Sequence, residues 1–299
     1  MRAPDPDTDA EALTRLTREA FDYLLVDTAS SRRRLAKNEP ATRSLTLMAV
    51  RDGEVVGYGT TGLELENASP GAARVNLLVA AAHRGTGVGA ALFDRLAEHW
   101  REIGATTVTG RLTSAAAERF ATRHGFERGR VERVSALDLA VLPDRDPVAP
   151  EGIRLAPLSA LPDARALYEI DTAVTADIPA DDPWETLSFP DWKRIHYDDP
   201  RLDRDSTVLA FDDEEPVAVA WLERLGDRVW SGLTGTRRDH RGLGLARLVK
   251  TVALRRARAA GAVTAYTNND ATNAAMLAVN TGMGYRLHTE QYSCVLRLT

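Results

Sequence analysis

The feature that most constrains this chain of 299 residues is that it reads twice. In the first half, Asn76-Leu-Leu-Val-Ala-Ala-Ala-His-Arg-Gly-Thr-Gly-Val-Gly89 is an apolar run that enters a glycine-rich turn and continues into the helical pattern ALFDRLAEHWREIG. In the second, Ser231-Gly-Leu-Thr-Gly-Thr-Arg-Arg-Asp-His-Arg-Gly-Leu-Gly-Leu-Ala246 follows the same plan and continues into RLVKTVALRRARAAG. Self-similarity at a fixed offset sets the architecture before any single residue is interpreted. The match continues downstream. Each long helix ends at a glycine, Gly104 or Gly261, as a helix stop requires. A short strand follows (ATTVTGRL or AVTAYTN), then a second helix (AAAERFATRH or ATNAAMLAVNTG), then Gly125-Phe126 or Gly284-Tyr285. Upstream lie alternating runs with hairpin signals, SLTLMAV, Asp52-Gly53 and EVVGYGTTGLEL in one half, STVLAF, DDEEP and VAVAWLERL in the other. The predicted order in each half is antiparallel strands, then strand, helix, strand, helix, strand.

Length agrees with two domains of about 150 residues. The stretch VLPDRDPVAPEG, with its prolines and charges between apolar runs, reads as the join. The expected division is a first domain over 1–142, a linker over 143–151 and a second domain over 152–299. The second half opens with a full strand and helix, GIRLAPLSA and DARALYEIDTAV, whereas only MRAP could serve as the first strand of the first half, which is expected to be stunted or missing.

Composition narrows the function classes. Apolar content of 44% and charged content of 27% suit a globular protein, and a net charge of −5 argues against a nucleic-acid partner, which usually demands a basic face. The start, MRAPDPDTDAEAL, has no apolar core, and no run approaches the ~20 apolar residues that span a bilayer, so a cytoplasmic protein with no membrane partner is expected. The single cysteine, Cys294, lies in SCVLRL and reads as a buried, inert thiol; no Cys/His spacing suggests a metal site.

A strand running into Arg-x-x-Gly-x-Gly or Arg-x-x-Gly-x-Ala and then a helix turns several backbone N–H groups toward one point, where small residues admit an anion and the helix dipole favours it. A pyrophosphate is the natural guest. A Walker loop is absent, and Gly85-Thr-Gly-Val-Gly89 lacks the spacing of a dinucleotide fingerprint. The plain alternative is a tight connection that uses glycine for backbone reasons; two copies in matching context count against it.

With these residues, both halves resemble the GNAT superfamily (GCN5-related N-acetyltransferases), whose signature is Gln/Arg-x-x-Gly-x-Gly/Ala. The resemblance implies an α/β fold of two tandem GNAT domains, each a mixed, mostly antiparallel central sheet flanked by helices. It implies acetyl-CoA as cosubstrate, with pyrophosphate on the backbone of Arg84, Gly85, Thr86, Gly87, Val88 and Gly89 and of Arg241, Gly242, Leu243, Gly244, Leu245 and Ala246. It further implies a bulge that splays the preceding strand and exposes Leu77, Leu78 and Val79, and Thr234, Gly235 and Thr236, to pantetheine. The second half also carries Asn269-x-x-x-Asn273-x-x-Met276-x-x-x-Asn280-x-x-x-Gly284-Tyr285, which resembles actinobacterial tandem acetyltransferases, a group that includes mycothiol synthase-like proteins. Asn273 and Asn280 share a helix face and either cap the helix or reach the cofactor; Met276 reads as core.

The implied activity is N-acetyl transfer to a small-molecule amine by direct attack in a ternary complex. Many family members supply the acid from a tyrosine four residues before the Gly-aromatic pair. Ala121 and Asn280 stand there, so another group, a water or direct thiolate release must serve. Glu223, in the strand beside the cofactor strand, is the candidate base, against an outward carboxylate paired with Arg224 or Arg228. Tyr266 and Tyr292 are candidate acids, against core-edge tyrosines. The segment DIPADDPWETLSFPDWKRIHYDD suits an amine through Asp177, Asp181, Trp184 and Trp192, by charge and cation–π contact, or else packs its tryptophans against the domain. The second half, with the fuller motif set, is expected to be catalytic. The missing tyrosines leave one other class, a non-catalytic acyl-CoA-binding scaffold or sensor.

Overall fold

The computed structural model describes residues 1–37, 39–145, 147–178 and 184–298. They form two compact units.

Unit 1 comprises Met1–Val131, residues 184–185 and the chain from Gln291 on. Its sheet runs in the order β1 (Leu45–Arg51), β2 (Glu54–Leu63), β3 (Ala72–Val79), β4 (Thr107–Leu112) and β11 (Arg286–Arg297), of which Tyr292–Arg297 pairs with β4. Asp52 and Gly53 both take positive φ, the conformation that turns a two-residue hairpin from β1 into β2. Alternation along the strands divides the core. Met48 and Tyr58 point to α1 (Pro6–Ala20), joined by α2 (Thr28–Ala36), while Ala73, Val108 and Cys294 pack with Leu96 and Trp100 of α3 (Val88–Ile103), and Ala121 of α4 (Ala115–Arg123) joins them. The stunted first strand is a single bridge, Arg2 to Met48. The helices of this half, by contrast, are full length.

Unit 2 comprises residues 132–178 and 186–290. Its sheet order is β5 (Glu127–Asp138, pairing through Glu132–Asp138), β10 (Thr264–Asp270), β9 (Arg228–Thr236), β8 (Glu215–Leu225), β7 (Val208–Asp212) and β6 (Ile153–Pro157). On one face Val219 and Trp221 meet α5 (Arg165–Thr175) and α6 (Phe189–Trp192), which runs on into a π-helical turn, Lys193–Tyr197. On the other, Ala218, Ala220 and Leu222 meet α7 (Leu245–Ala259), with Met283 of α8 (Ala274–Met283) in the same cluster. The parallel pair β9·β10 among antiparallel neighbours makes this sheet mixed, as does β3·β4 in unit 1.

The units do not follow the expected boundaries of 1–142 and 152–299. The end of β5, from the first half of the sequence, pairs with β10 in unit 2, and the end of β11, from the second half, pairs with β4 in unit 1. Period-two alternation tells which face of a strand is buried, not which sheet it joins.

Candidate active site

Strand β9 pairs with β8 along its length, but the register shifts between Trp221 and Leu222, so that Gly232 is an extra residue on β9. On its other edge β9 meets β10 only through Arg228–Trp230 against Thr264–Tyr266. Thr267 Oγ1 of β10 still donates to Ser231 O at 2.9 Å; beyond Ser231 the described residues show no further β9–β10 pairing, and that edge is open. The side-chain hydroxyls of Ser231, Thr234 and Thr236 on this strand are buried without a hydrogen-bond partner among the described residues, a state that normally calls for a ligand or water. In unit 1, β3 likewise leaves β4 after Arg74, yet its pairing with β2 is unbroken, so Leu77, Leu78 and Val79 are splayed without a bulge.

Each open strand leads into a glycine-rich loop. Gly244 (φ 76°) is the N-cap of α7 and Gly87 (φ 90°) that of α3, and neither helix has a side-chain cap. A Cβ on either glycine would meet nothing within 4 Å. Glycine is needed for the left-handed backbone, and the space before the uncapped N–H groups is open to an anion. The signature arginines hold the loops. Arg241 Nε donates to Thr236 O at 3.2 Å and Arg84 Nε to Val79 O at 3.0 Å. A carboxylate at the end of a helix completes each staple: Asp177, just beyond α5, binds Arg238 and Arg241, and Glu19, in the last turn of α1, accepts from Arg84 Nη2 at 3.0 Å and from the Ala81 amide at 2.7 Å. Arg238 and then Arg241 hold the Asp177 carboxyl well below the usual carboxylate range. His240, bonded to Asp239 and Asp212, serves the same loop.

Glu223 lies on β8 opposite Trp230, the last β9 residue paired with β10. It shares a face with Trp221 and is joined by Arg201, 3.3 Å away, rather than by Arg224 or Arg228. Arg201 is itself held by Asp199, with His196 packed edge-on to Trp221. Burial raises the Glu223 carboxyl above its ordinary value, with Arg201 acting in the opposite direction. Its ionised form is thus less favoured than that of a free carboxylate.

The remaining candidates separate. Tyr266, on β10, lies under Arg228 and against His288. Tyr292 belongs to unit 1, where Arg128 covers its ring at 3.5 Å. Asn273 caps α8 by accepting from the Met276 amide, and Asn280 is buried between Lys250 and Asn269. Both are engaged within the protein. Among the described residues, the candidates of the acidic aromatic segment go to different places. Asp177 is spent on the loop arginines. Trp192 is 3% exposed, stacks in the core and donates to Asp171. Trp184 bridges Asn67 in unit 1, and Asp181 lies outside the described residues. Cys294 is buried, and burial pushes its thiol up to about 11. Lys250, Arg201 and Glu19 were not legible as site residues, although a lone lysine in the apolar run RLVKTVAL was a signal for the first.

Comparison with known proteins agrees with this geometry. An acetyltransferase (GNAT) domain model matches residues 42–128, and an acetyltransferase (GNAT) family model matches residues 165–285. The chain belongs to the GNAT acetyltransferases and is an acyltransferase. It is of the tandem type, with two such domains in one polypeptide. A mycothiol acetyltransferase of Streptomyces coelicolor is 28% identical over 298 residues, spanning 93% of this chain and 92% of the relative. In fold the chain is similar to a GCN5-related N-acetyltransferase from Sphaerobacter thermophilus (TM-score 0.76, 23% identity, 99% of this chain and 94% of that one). It is equally similar to a tandem GNAT protein from the clavulanic acid biosynthesis pathway (TM-score 0.76, 20% identity, 99% and 97%).

Proposed function

We propose that the chain transfers an acetyl group from acetyl-CoA to the amine of a small molecule by direct attack in a ternary complex, with unit 2 carrying the chemistry. The observation that carries this reading is the convergence of three features in unit 2: a bulged and splayed β9, an uncapped glycine loop at its end, and Glu223 at the head of the splay. The matching end of β2 in unit 1 carries Gly62 and Leu63, with Glu64 beyond them bound to Arg74. The residues suit the cosubstrate. The α7 N-terminus and the loop backbone of 241–246 would take the pyrophosphate, and the open edge of Thr234–Thr236 the pantetheine amides.

Acetyl-CoA supplies the activated acyl group. Glu223 takes the proton of the attacking amine as the C–N bond forms, and Arg201 keeps the carboxylate in place. The C–S bond breaks, and the sulfur leaves as thiolate and is protonated. The name of the Streptomyces coelicolor relative, together with an alignment along most of both chains, supports a small-molecule acceptor. In this reading the acceptor enters on the Trp221 face of β8.

The test is thiol release from acetyl-CoA across a panel of small amines. Amine-dependent release with intersecting double-reciprocal lines is expected. Parallel lines would replace direct attack by a covalent acyl-enzyme, and cofactor binding without any release would favour the scaffold or sensor.

A further inference from the structure

Lys250 is buried to 1% exposure in the middle of α7. Its ammonium has one oxygen acceptor among the described residues, Asn280 Oδ1 at 2.7 Å, and lies 4.8 Å from the centre of the Tyr285 ring. Among the described residues no carboxylate accompanies it, and burial lowers its pKa to about 7. A lysine buried without a counter-charge is costly, and an apolar residue of similar volume would usually serve stability better. What it does is orient. Because Lys250 donates to Oδ1 of Asn280, the amide must point its Nδ2 the other way, and that nitrogen donates to Asn269 Oδ1 at 2.6 Å. Asn269 is thereby oriented in turn, and its own Nδ2 has no protein partner among the described residues. Asn269 stands on the stretch of β10 that has parted from β9, three residues beyond the last pair.

We infer that Lys250 is a positioning residue, which through Asn280 and Asn269 directs a hydrogen-bond donor into the β9/β10 opening to stabilise the leaving thiolate of coenzyme A. This deepens, and rests on, the reading that unit 2 is the transferase site. It gives a role to Asn280, which occupies the position of the absent tyrosine, without passing a proton through the amides. The step is a hydrogen bond to sulfur as the C–S bond breaks. Cooperative polarisation along the chain strengthens its last donor.

Lys250→Met tests it, being close in volume and leaving no buried charge. The first readout needs no amine: the apparent pKa of the thiol of bound CoA, followed by thiolate absorbance. A donor to the thiolate favours the charged form, so the thiol pKa in Lys250→Met should rise by about one and kcat should fall about tenfold, with KM for acetyl-CoA within about twofold. Asn280→Leu should give the same change, and the double variant no more than either single one, as members of one chain do. A bound-thiol pKa and kcat indifferent to Lys250→Met would overturn the inference while leaving the transferase reading intact. CoA that fails to bind the wild-type protein would overturn both.

Discussion

Replacing Glu223 by glutamine keeps the shape of the side chain and removes its charge and basicity. Arg201 loses one carboxylate at 3.3 Å but retains Asp199, whose oxygens lie 2.8 and 3.2 Å from its Nη2 and Nε. A partly exposed pair of this kind is worth at most about 1 kcal/mol, and the side chain of Glu223 is 26% exposed, so the loss is discounted further. Burial also disfavours the ionised carboxyl. Its folded-state pKa lies above the unfolded value, so wild-type stability falls as pH rises between the two, and glutamine abolishes that dependence. The melting temperature at neutral pH should therefore hold or rise slightly. Acetyl-CoA affinity should be unchanged, because Glu223 is not in the loop. Catalysis should not escape: a positioned general base contributes about 10²–10⁴-fold, or ~2.7–5.4 kcal/mol of barrier. The assay is kcat/KM against pH. Wild type should lose activity on the acid side with an apparent pKa above the ordinary carboxylate value, and Glu223→Gln should be slow and lack that limb. A variant within threefold of wild type at neutral pH, with the limb retained, would refute Glu223 as the base.

Four further substitutions test the packing around the site. A Cβ on Gly235 would sit 2.7 Å from Val174 Cβ and 2.8 Å from its Cγ2, so Gly235→Ala should destabilise by about 1–3 kcal/mol and weaken acetyl-CoA binding as α5 and β9 are pushed apart. Adding Val174→Ala should restore part of both, in denaturant melts and calorimetry, whereas strict additivity would deny the contact. Trp192→Ala should cost about 3–5 kcal/mol as a core deletion, while Trp184→Ala should stay within about 0.5 kcal/mol. A specific rise in acceptor KM for Trp192→Ala at unchanged stability would instead make that tryptophan a substrate contact.

Much of this was legible because it rests on local chemistry. The paired Arg-x-x-Gly loops, the helix stops and the single-bridge first strand follow from glycine conformations and from the few residues before α1. What escaped depends on pairing between distant segments. Strands β5 and β11 carry the same alternation, and nothing in it says that their ends close the sheets of unit 2 and unit 1 respectively. Tyr292 was drawn away from the catalytic candidates by that exchange. Asp177 and Trp192 have the side chains of an amine pocket, but the loop arginines claim one and the core the other. That Glu223 lies on the strand next to β9 follows from the strand order, yet its partner, Arg201, comes from a connection whose course the sequence does not fix.

The most direct test of the account is calorimetric titration of acetyl-CoA into wild type and into Gly87→Glu and Gly244→Glu, each of which sets a carboxylate in the open space before one loop. Repulsion of the pyrophosphate should abolish binding in Gly244→Glu and leave Gly87→Glu able to bind and turn over. Binding lost in Gly87→Glu and kept in Gly244→Glu would place the working site in unit 1 and contradict the assignment of the chemistry to unit 2.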